Sequence, residues 1–390
     1  MPLRPTLLAL LLAAASIATW STFRAGDSAA RSAPDFAQRN PFVSAELGKF
    51  NEPWAMAIVP GTGVIFVTER GGTIKGREPN GRAVFVTGVP KVAYGGQGGL
   101  GDIAFLGSES ATQLTPRTIF LSYAEAGPAD THGAVVGRGR LVCEEHQTCA
   151  IRDLQVIWRQ SPKTTGQGHY SHRILFSPDE RYLYLASGDR QKMQPAQDIT
   201  GNLGKVVRVL ADGTLAPDNP YADQGGVTSQ IWSLGHRNIL GLRFDGEGRL
   251  WGLEHGPRGG DELNLVEKGR NYGWPLVSEG RHYGGRAIPH HTTRAEFAAP
   301  AISWDPVIAP GDFIFYRGSM FPEWRGQALI AALGSQGIVR VAIAGTTAQE
   351  IARYDMQTRI RSIAEQADGS LLVLEDGEGG RLLRLTPRQR

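Results

Sequence analysis

The chain has 390 residues, of which 41% are hydrophobic and 20% charged, with 50 glycines, 23 prolines and a formal net charge of +3. Charge this balanced, with Arg scattered and no basic block, argues against a nucleic-acid partner. By length alone the chain holds two or three domains or one large repeat architecture, and its hydrophobic share supports a sizeable core.

At the N-terminus Arg4 precedes an apolar Leu/Ala-rich run from Leu7 to Trp20, the charged region and hydrophobic region of a signal peptide. The run is about 14 residues, short of the roughly 20 that span a bilayer. Residues 1–24 are therefore expected to be a cleaved signal peptide, with an uncleaved N-terminal anchor as the rival reading. No Cys follows the apolar run, which argues against a lipoprotein. Residues 25–40 read as a polar linker and residues 41–390 as the folded part. The protein is expected to be periplasmic or secreted, with no membrane domain beyond that possible anchor.

Beyond the linker a pattern recurs: an apolar strand, a turn carrying Gly, Asp or Pro, then a second apolar strand. It opens with MAIVPGTGVIFVTE from Met56 and continues with DIAFLGS from Asp102, leading to TIFLSYAE from Thr118. Cys143 and Cys149 follow, with polar sequence between two strand-like runs. That spacing suits a disulfide across a hairpin loop in an oxidising compartment; a metal site would need two more ligands, and only His146 is near. Further copies are ILFSPDERYLYLASGD from Ile174, LRFDGEGRLWGLEHG from Leu242, QALIAALGSQGIVRVAI from Gln327 and SIAEQADGSLLVLEDG from Ser362. The turn residues supply the dihedrals a hairpin needs, and the flanks are β-branched or aromatic. Six units at roughly 55 to 60 residues each predict an all-β chain folded as a six-bladed β-propeller. Function in that architecture sits where loops converge at one end of the channel.

Four clusters lie at predicted strand ends. The first is the Gly-rich loop from Tyr94 to Asp102, in which backbone can approach a ligand and Gln97 is the one long polar side chain. The second is GHYSHR, with His169 and His172, followed after one hairpin by SGDR with Asp189. Antiparallel strands return to the same edge, so Asp189 can orient His169 as a general base, although the spacing equally suits a loop His with an unrelated Asp. The third is IWSLGHRNILGLRFDGEGRLWGLEHGPRGGDELN, with Arg237 and Asn238 at one end and Glu254, His255, Asp261 and Glu262 at the other. Its Gly256-Pro257 turn can offer carbonyls to a hard cation such as Ca²⁺, although Asp261 and Glu262 can equally cap turns and bind nothing. The fourth is TRIR, in which alternation puts Arg359 and Arg361 on one strand face. Two guanidiniums side by side repel unless an anion lies between them, and with Arg237 they suit a polycarboxylate or phosphate; a solvated strand edge is the alternative.

Together these clusters resemble the soluble quinoprotein aldose dehydrogenases of the glucose/sorbosone type, which are six-bladed propellers using pyrroloquinoline quinone (PQQ) and calcium. The resemblance spans roughly residues 45–388 and rests on GGQGGLGD, GHYSHRILFSPDERYLYLASGDR, AQDITGNLGKVVRV, the long third-cluster segment and NYGWP, in family order. It implies an exported enzyme that oxidises aldoses at the anomeric hydroxyl to lactones and passes electrons to an external acceptor. His169 would take the proton while hydride passes to the quinone, and Asp189 would orient His169. Gln97, Arg237, Asn238, His255, Tyr283, Arg359 and Arg361 would contact the cofactor. The Gly256 and Pro257 carbonyls would hold calcium, and Glu262 and Tyr272 match a second calcium site of some members. Two positions depart from the family: GSQG at Gly334 lacks a Lys that often reaches the quinone, and Val307 replaces a polar residue. Those losses keep open a second reading, a non-catalytic propeller that binds a carbohydrate or protein partner.

Overall fold

The computed structural model describes residues 40–143 and 148–389. The expected leader, all of the linker but Asn40, and His146 lie outside the described residues. Among the described residues no helix is long and apolar enough to cross a membrane.

The chain is almost wholly β, with short 3₁₀ turns between strands. Four of its sheets are four-stranded and antiparallel, and a larger one joins two such quartets through a parallel pairing of Ala83–Thr87 with Thr148–Arg159. The first strands of successive quartets are Pro53–Ile58, Leu100–Phe105, Ser171–Phe176, Ile239–Phe244, Pro310–Phe315 and Ile360–Glu365. Each touches the next, and the last touches the first, so the first strands form a closed inner ring. The last quartet takes its outer strand from the start of the described chain: Phe42–Phe50 pairs antiparallel with Gly380–Pro387.

Second strands are buried on both faces, because each quartet is covered by a neighbour on either side. Ile65–Glu69, Leu250–Glu254, Ala328–Ala332 and Leu371–Glu375 are buried at every residue. Their sequences accordingly run apolar rather than alternating. The predicted hairpins occur as first-to-second strand pairs, with one exception. QALIAALGSQGIVRVAI is the second and third strand of its quartet, Ala328–Ala332 and Gly337–Ala344. The first strand there is Pro310–Phe315, and the long link Tyr316–Gln327 with its 3₁₀ turn at Pro322–Trp324 gives no tight-turn signal. Cys143 and Cys149 are disulfide-bonded and lie directly opposite one another on the outer two strands of the second quartet.

One irregularity repeats around the ring. Every first strand shifts register near its start, between Pro53 and Ala55, Leu100 and Ile103, Ser171 and Ile174, Ile239 and Gly241, Pro310 and Asp312, and Ile360 and Ser362. A bulge re-aims the side chain it carries. Among the bulged residues are Trp54, His172, Leu240 and Arg361, and all four line one central cavity.

Arg173, also in a bulge, ties the hub together. Its Nη1 lies 3.3 Å from Asp102 Oδ1, its Nη2 donates to the Gly311 carbonyl at 2.7 Å, and its Nε donates to the Leu240 carbonyl. Its guanidinium stands 4.2 Å from the Trp54 ring centroid. One side chain thus reaches the first strands of four other quartets. Asp312 extends the network, accepting from Arg243 Nη2 at 2.8 Å and from Ser362 Oγ at 2.8 Å.

Candidate active site

The GHYSHR segment enters its strand by an unusual path: His169, Ser171 and His172 have φ of 49°, 63° and 68°. Such backbone persists where its surroundings over-determine it. Arg190, on the returning end of the hairpin, supplies the restraint. Its Nη1 and Nη2 donate to the carbonyls of Gly168 (2.9 Å) and Gly166 (2.6 Å). Gly188 makes room for the crossing, since a Cβ there would stand 2.0 Å from the His169 carbonyl oxygen.

The result is the pair expected from the hairpin: His169 Nδ1 lies 2.6 Å from Asp189 Oδ1, both buried. Burial pushes the imidazole below its ordinary pKa, Arg237 and Arg190 act the same way, and Asp189 offsets only part of this. Burial pushes the Asp189 carboxyl up, but hydrogen bonds from His169, Trp274 and Gln191 more than compensate, so it lies below the usual range. An ionised carboxylate therefore faces a neutral ring. The Nδ1–H donates to Asp189, and Nε2 keeps its lone pair. Gln97 Oε1 accepts from the His169 backbone N–H at 2.7 Å, joining the Gly-rich loop to the pair.

Trp274 of NYGWP carried no assigned role in the sequence. Its indole Nε1–H donates to Asp189 Oδ2 at 2.8 Å, and the Arg237 guanidinium lies 5.3 Å from its ring centroid. It thus connects the His–Asp pair to the third cluster. Arg237 also donates from Nη1 to the His255 carbonyl and from Nη2 to the Tyr283 hydroxyl, each at 3.2 Å. Beneath it lies a Ser233–His236–Glu254 chain with links of 2.8 and 2.9 Å. The order mimics a nucleophilic triad, but all three residues are buried. Glu254 instead accepts from the Arg237 backbone N–H at 2.7 Å, so the chain positions Arg237.

The central cavity, about 180 Å³, brings together Gln97, Asn238, His255, Arg359 and Arg361 from the sequence-derived set. It adds Arg70, which that set did not contain. Arg359 and Arg361 lie on one face as expected, but the anion between them belongs to the protein. Arg359 Nε donates to Asp376 Oδ2 and Arg361 Nε to Asp376 Oδ1, each at 2.9 Å. Two guanidiniums share one carboxylate, which leaves one positive charge uncompensated at the cavity wall.

His255 also borders a second cavity of about 550 Å³, with Gly256, Pro257, Asp261, Tyr283 and Val307. Asp261 fixes the Gly256-Pro257 turn, as the turn-capping reading anticipated. It accepts from Gly256 N at 2.9 Å and from Ala309 N of the next quartet at 2.7 Å, while burial raises its carboxyl to about 6. Among the described residues neither the Gly256 nor the Pro257 carbonyl accepts a hydrogen bond. Two bare carbonyls at a cavity wall are donors that suit a hard cation. Glu262 and Tyr272 line a smaller cavity with Glu254. Burial and the neighbouring Glu254 push Glu262 well above its ordinary pKa. The Tyr272 hydroxyl donates to the Leu265 carbonyl and accepts from Glu267 N, so that end of the side chain is already committed. Among the described residues no group of three or more His, Cys, Asp and Glu side chains forms a metal site.

An all-β ring with a cationic cavity at its hub and a buried His–Asp pair beside it is the class these features define. The chain belongs to the glucose/sorbosone dehydrogenase family, whose profile matches residues 50–384. It is 35% identical over 348 residues to the aldose sugar dehydrogenase YliI of Escherichia coli, covering 87% of this chain and 91% of that protein. A crystal structure of the soluble aldose sugar dehydrogenase from Escherichia coli in its apo form superposes with a TM-score of 0.82 at 34% identity, covering 89% of this chain and all of that one. The PQQ-bound aldose sugar dehydrogenase of Streptomyces coelicolor superposes with a TM-score of 0.68 at 26% identity, over 89% of this chain and 98% of that one.

Proposed function

We propose that this protein is an exported, PQQ- and calcium-dependent aldose dehydrogenase on a six-bladed β-propeller, producing lactones. The observation that carries the reading is the buried His169–Asp189 pair, with a neutral ring and a free Nε2, next to a cavity walled by arginine. A propeller that only bound a partner would have no need of a buried, carboxylate-oriented imidazole. The disulfide supports an oxidising compartment.

In this reading Gln97, Arg237, Asn238, His255, Tyr283, Arg359 and Arg361 hold the cofactor. The Gly256 and Pro257 carbonyls hold its calcium. The second calcium expected at Glu262 and Tyr272 is not part of this reading, because the Tyr272 hydroxyl is committed to Leu265 and Glu267 and burial beside Glu254 disfavours the charged form of Glu262. When bound, the quinone with its calcium supplies the acceptor for the hydride leaving the anomeric carbon. His169 takes the hydroxyl proton at Nε2, and Asp189 holds the ring in place and stabilises the imidazolium that forms. Departure of one proton and one hydride accounts for both electrons lost on forming the lactone. An external acceptor then reoxidises the enzyme.

Reconstitution tests this. Purified protein is titrated with PQQ at saturating Ca²⁺ and followed by cofactor absorbance, then assayed for dye reduction with several aldoses. Failure to bind overturns the cofactor assignment, and binding without turnover in wild type favours the binding-only reading.

Two side chains should separate affinity from rate. Arg361→Ala removes a charged contact and is expected to weaken PQQ binding by about 10- to 100-fold. Arg381→Ala, which breaks an ion pair to Glu375 in the same sheet, should leave it unchanged. Trp274→Phe keeps an aromatic ring, though a smaller one, and removes the donor to Asp189. It is expected to lower kcat by about tenfold with little change in cofactor affinity, measured at saturating sugar and cofactor.

A further inference from the structure

His172 is buried and lines the central cavity, and among the described residues neither of its ring nitrogens has a hydrogen-bond partner. The general base leaves it unused. Buried polar groups in native proteins are almost always satisfied, and one left bare costs desolvation without return. An imidazole bare at both nitrogens is a poor choice for a core position that a hydrocarbon ring could fill.

The surroundings are built around this ring. It stacks on Tyr170 with centroids 5.3 Å apart and planes 16° apart, and meets Trp54 edge-on at 5.6 Å. Gly101 completes the slot: a Cβ there would stand 2.6 Å from His172 Cγ. Packing therefore fixes the ring while its polar atoms stay unspent. Burial, with Arg190, Arg173 and Arg70 nearby, lowers its pKa to about 3. The ring is neutral at ordinary pH and offers one N–H donor and one lone pair. Its place in the fold is a second, independent pointer. His172 sits in the bulge of its first strand as Arg361 sits in the bulge of its own, and both line the cavity.

We propose that His172 is a further binding residue of the central cavity, donating a ring N–H to a carboxylate oxygen of the anionic cofactor. The proposal rests on the cofactor reading above. It adds an uncharged donor to a wall that also carries the guanidinium groups of Arg70, Arg359 and Arg361. Its strength does not vary with pH over the range in which the ring stays neutral.

The test reads binding and apo stability, not activity. His172→Phe keeps an aromatic ring in the slot, and His172→Gln restores a donor without the ring. Each is titrated with PQQ at saturating Ca²⁺ and no sugar, and each apo protein is melted in denaturant. His172→Phe is expected to bind about 10- to 100-fold more weakly while its apo form is at least as stable as wild type. His172→Gln is expected to recover part of the lost affinity. Should Phe prove too large for the slot, His172→Leu carries the same comparison. Wild-type affinity in the Phe or Leu variant would overturn the role of His172, all the more with a loss of apo stability. Failure of the wild type itself to bind would instead overturn the cofactor assignment.

Discussion

Replacing His169 with Gln is expected to lower kcat/KM by about 10²- to 10⁴-fold, the usual contribution of a positioned general base. PQQ affinity should stay within a few-fold of wild type, because the contact to Gln97 runs through the His169 backbone. Unchanged turnover with intact binding would remove His169 from the chemistry. The pH profile gives an independent check. Burial, helped by Arg237 and Arg190, places the imidazole below its ordinary value, and the base acts only when neutral. Activity should therefore persist as pH falls through about 6.5, the unperturbed value for His, and be lost only below it. An acid limb of kcat/KM at or above that value would contradict the assignment. Asp189→Asn should also be severe. Asp189 accepts from His169 and Gln191 at Oδ1 and from Trp274 at Oδ2, so an amide NH₂ on either side faces a donor.

Arg173→Met is expected to destabilise the fold by about 3–5 kcal/mol, the cost of breaking a buried ion pair from one side. Arg173 is almost fully buried and links the inner strands of four other quartets through Asp102, Leu240, Gly311 and Trp54. Methionine fills part of the volume but leaves Asp102 without its nearest cation. Burial already raises the Asp102 carboxyl, and Arg173 is the main opposing influence. In the variant the folded-state pKa rises further above the unfolded value. A raised carboxyl favours the folded state below its unfolded pKa, and that contribution is lost as pH increases. The deficit relative to wild type should thus be larger at pH 7 than at pH 5. Denaturant unfolding at the two pH values measures it, and a deficit independent of pH would show that lost packing, not the stranded carboxylate, is responsible.

Parts of the site were legible because they depend on short-range order. A hairpin brings its two ends together whatever surrounds it, so His169 and Asp189 could be paired from twenty residues of sequence. Alternation placed Arg359 and Arg361 on one face in the same way. Asp376 lies at the returning end of the hairpin that starts at Arg359 and Arg361, so the argument that paired His169 with Asp189 applies to it as well, and only its role as their shared anion went unpredicted. What escaped for a physical reason came from elsewhere in the chain: Trp274 reaches Asp189 from the next quartet, and Arg70 reaches the cavity from the first. The misphased unit at Gln327 has a related cause. Its first strand is separated from the second by a long link, so turn chemistry marked the following hairpin instead.

The bulges set the clearest division. Composition, turn residues and apolar runs determined an all-β chain of repeated hairpins and the family resemblance, because each is written in neighbouring residues. The sequence by itself could not say that Trp54, His172, Leu240 and Arg361 share one cavity, since regular alternation predicts no register shift at the start of each inner strand. Nor could it say that Phe42–Phe50 completes the last quartet against Gly380–Pro387. Those outcomes follow from closing a ring: strands hundreds of residues apart must meet, and the inner edges must bend where they crowd the hub. Only the tertiary structure imposes that constraint, and it decides which side chains face the ligand.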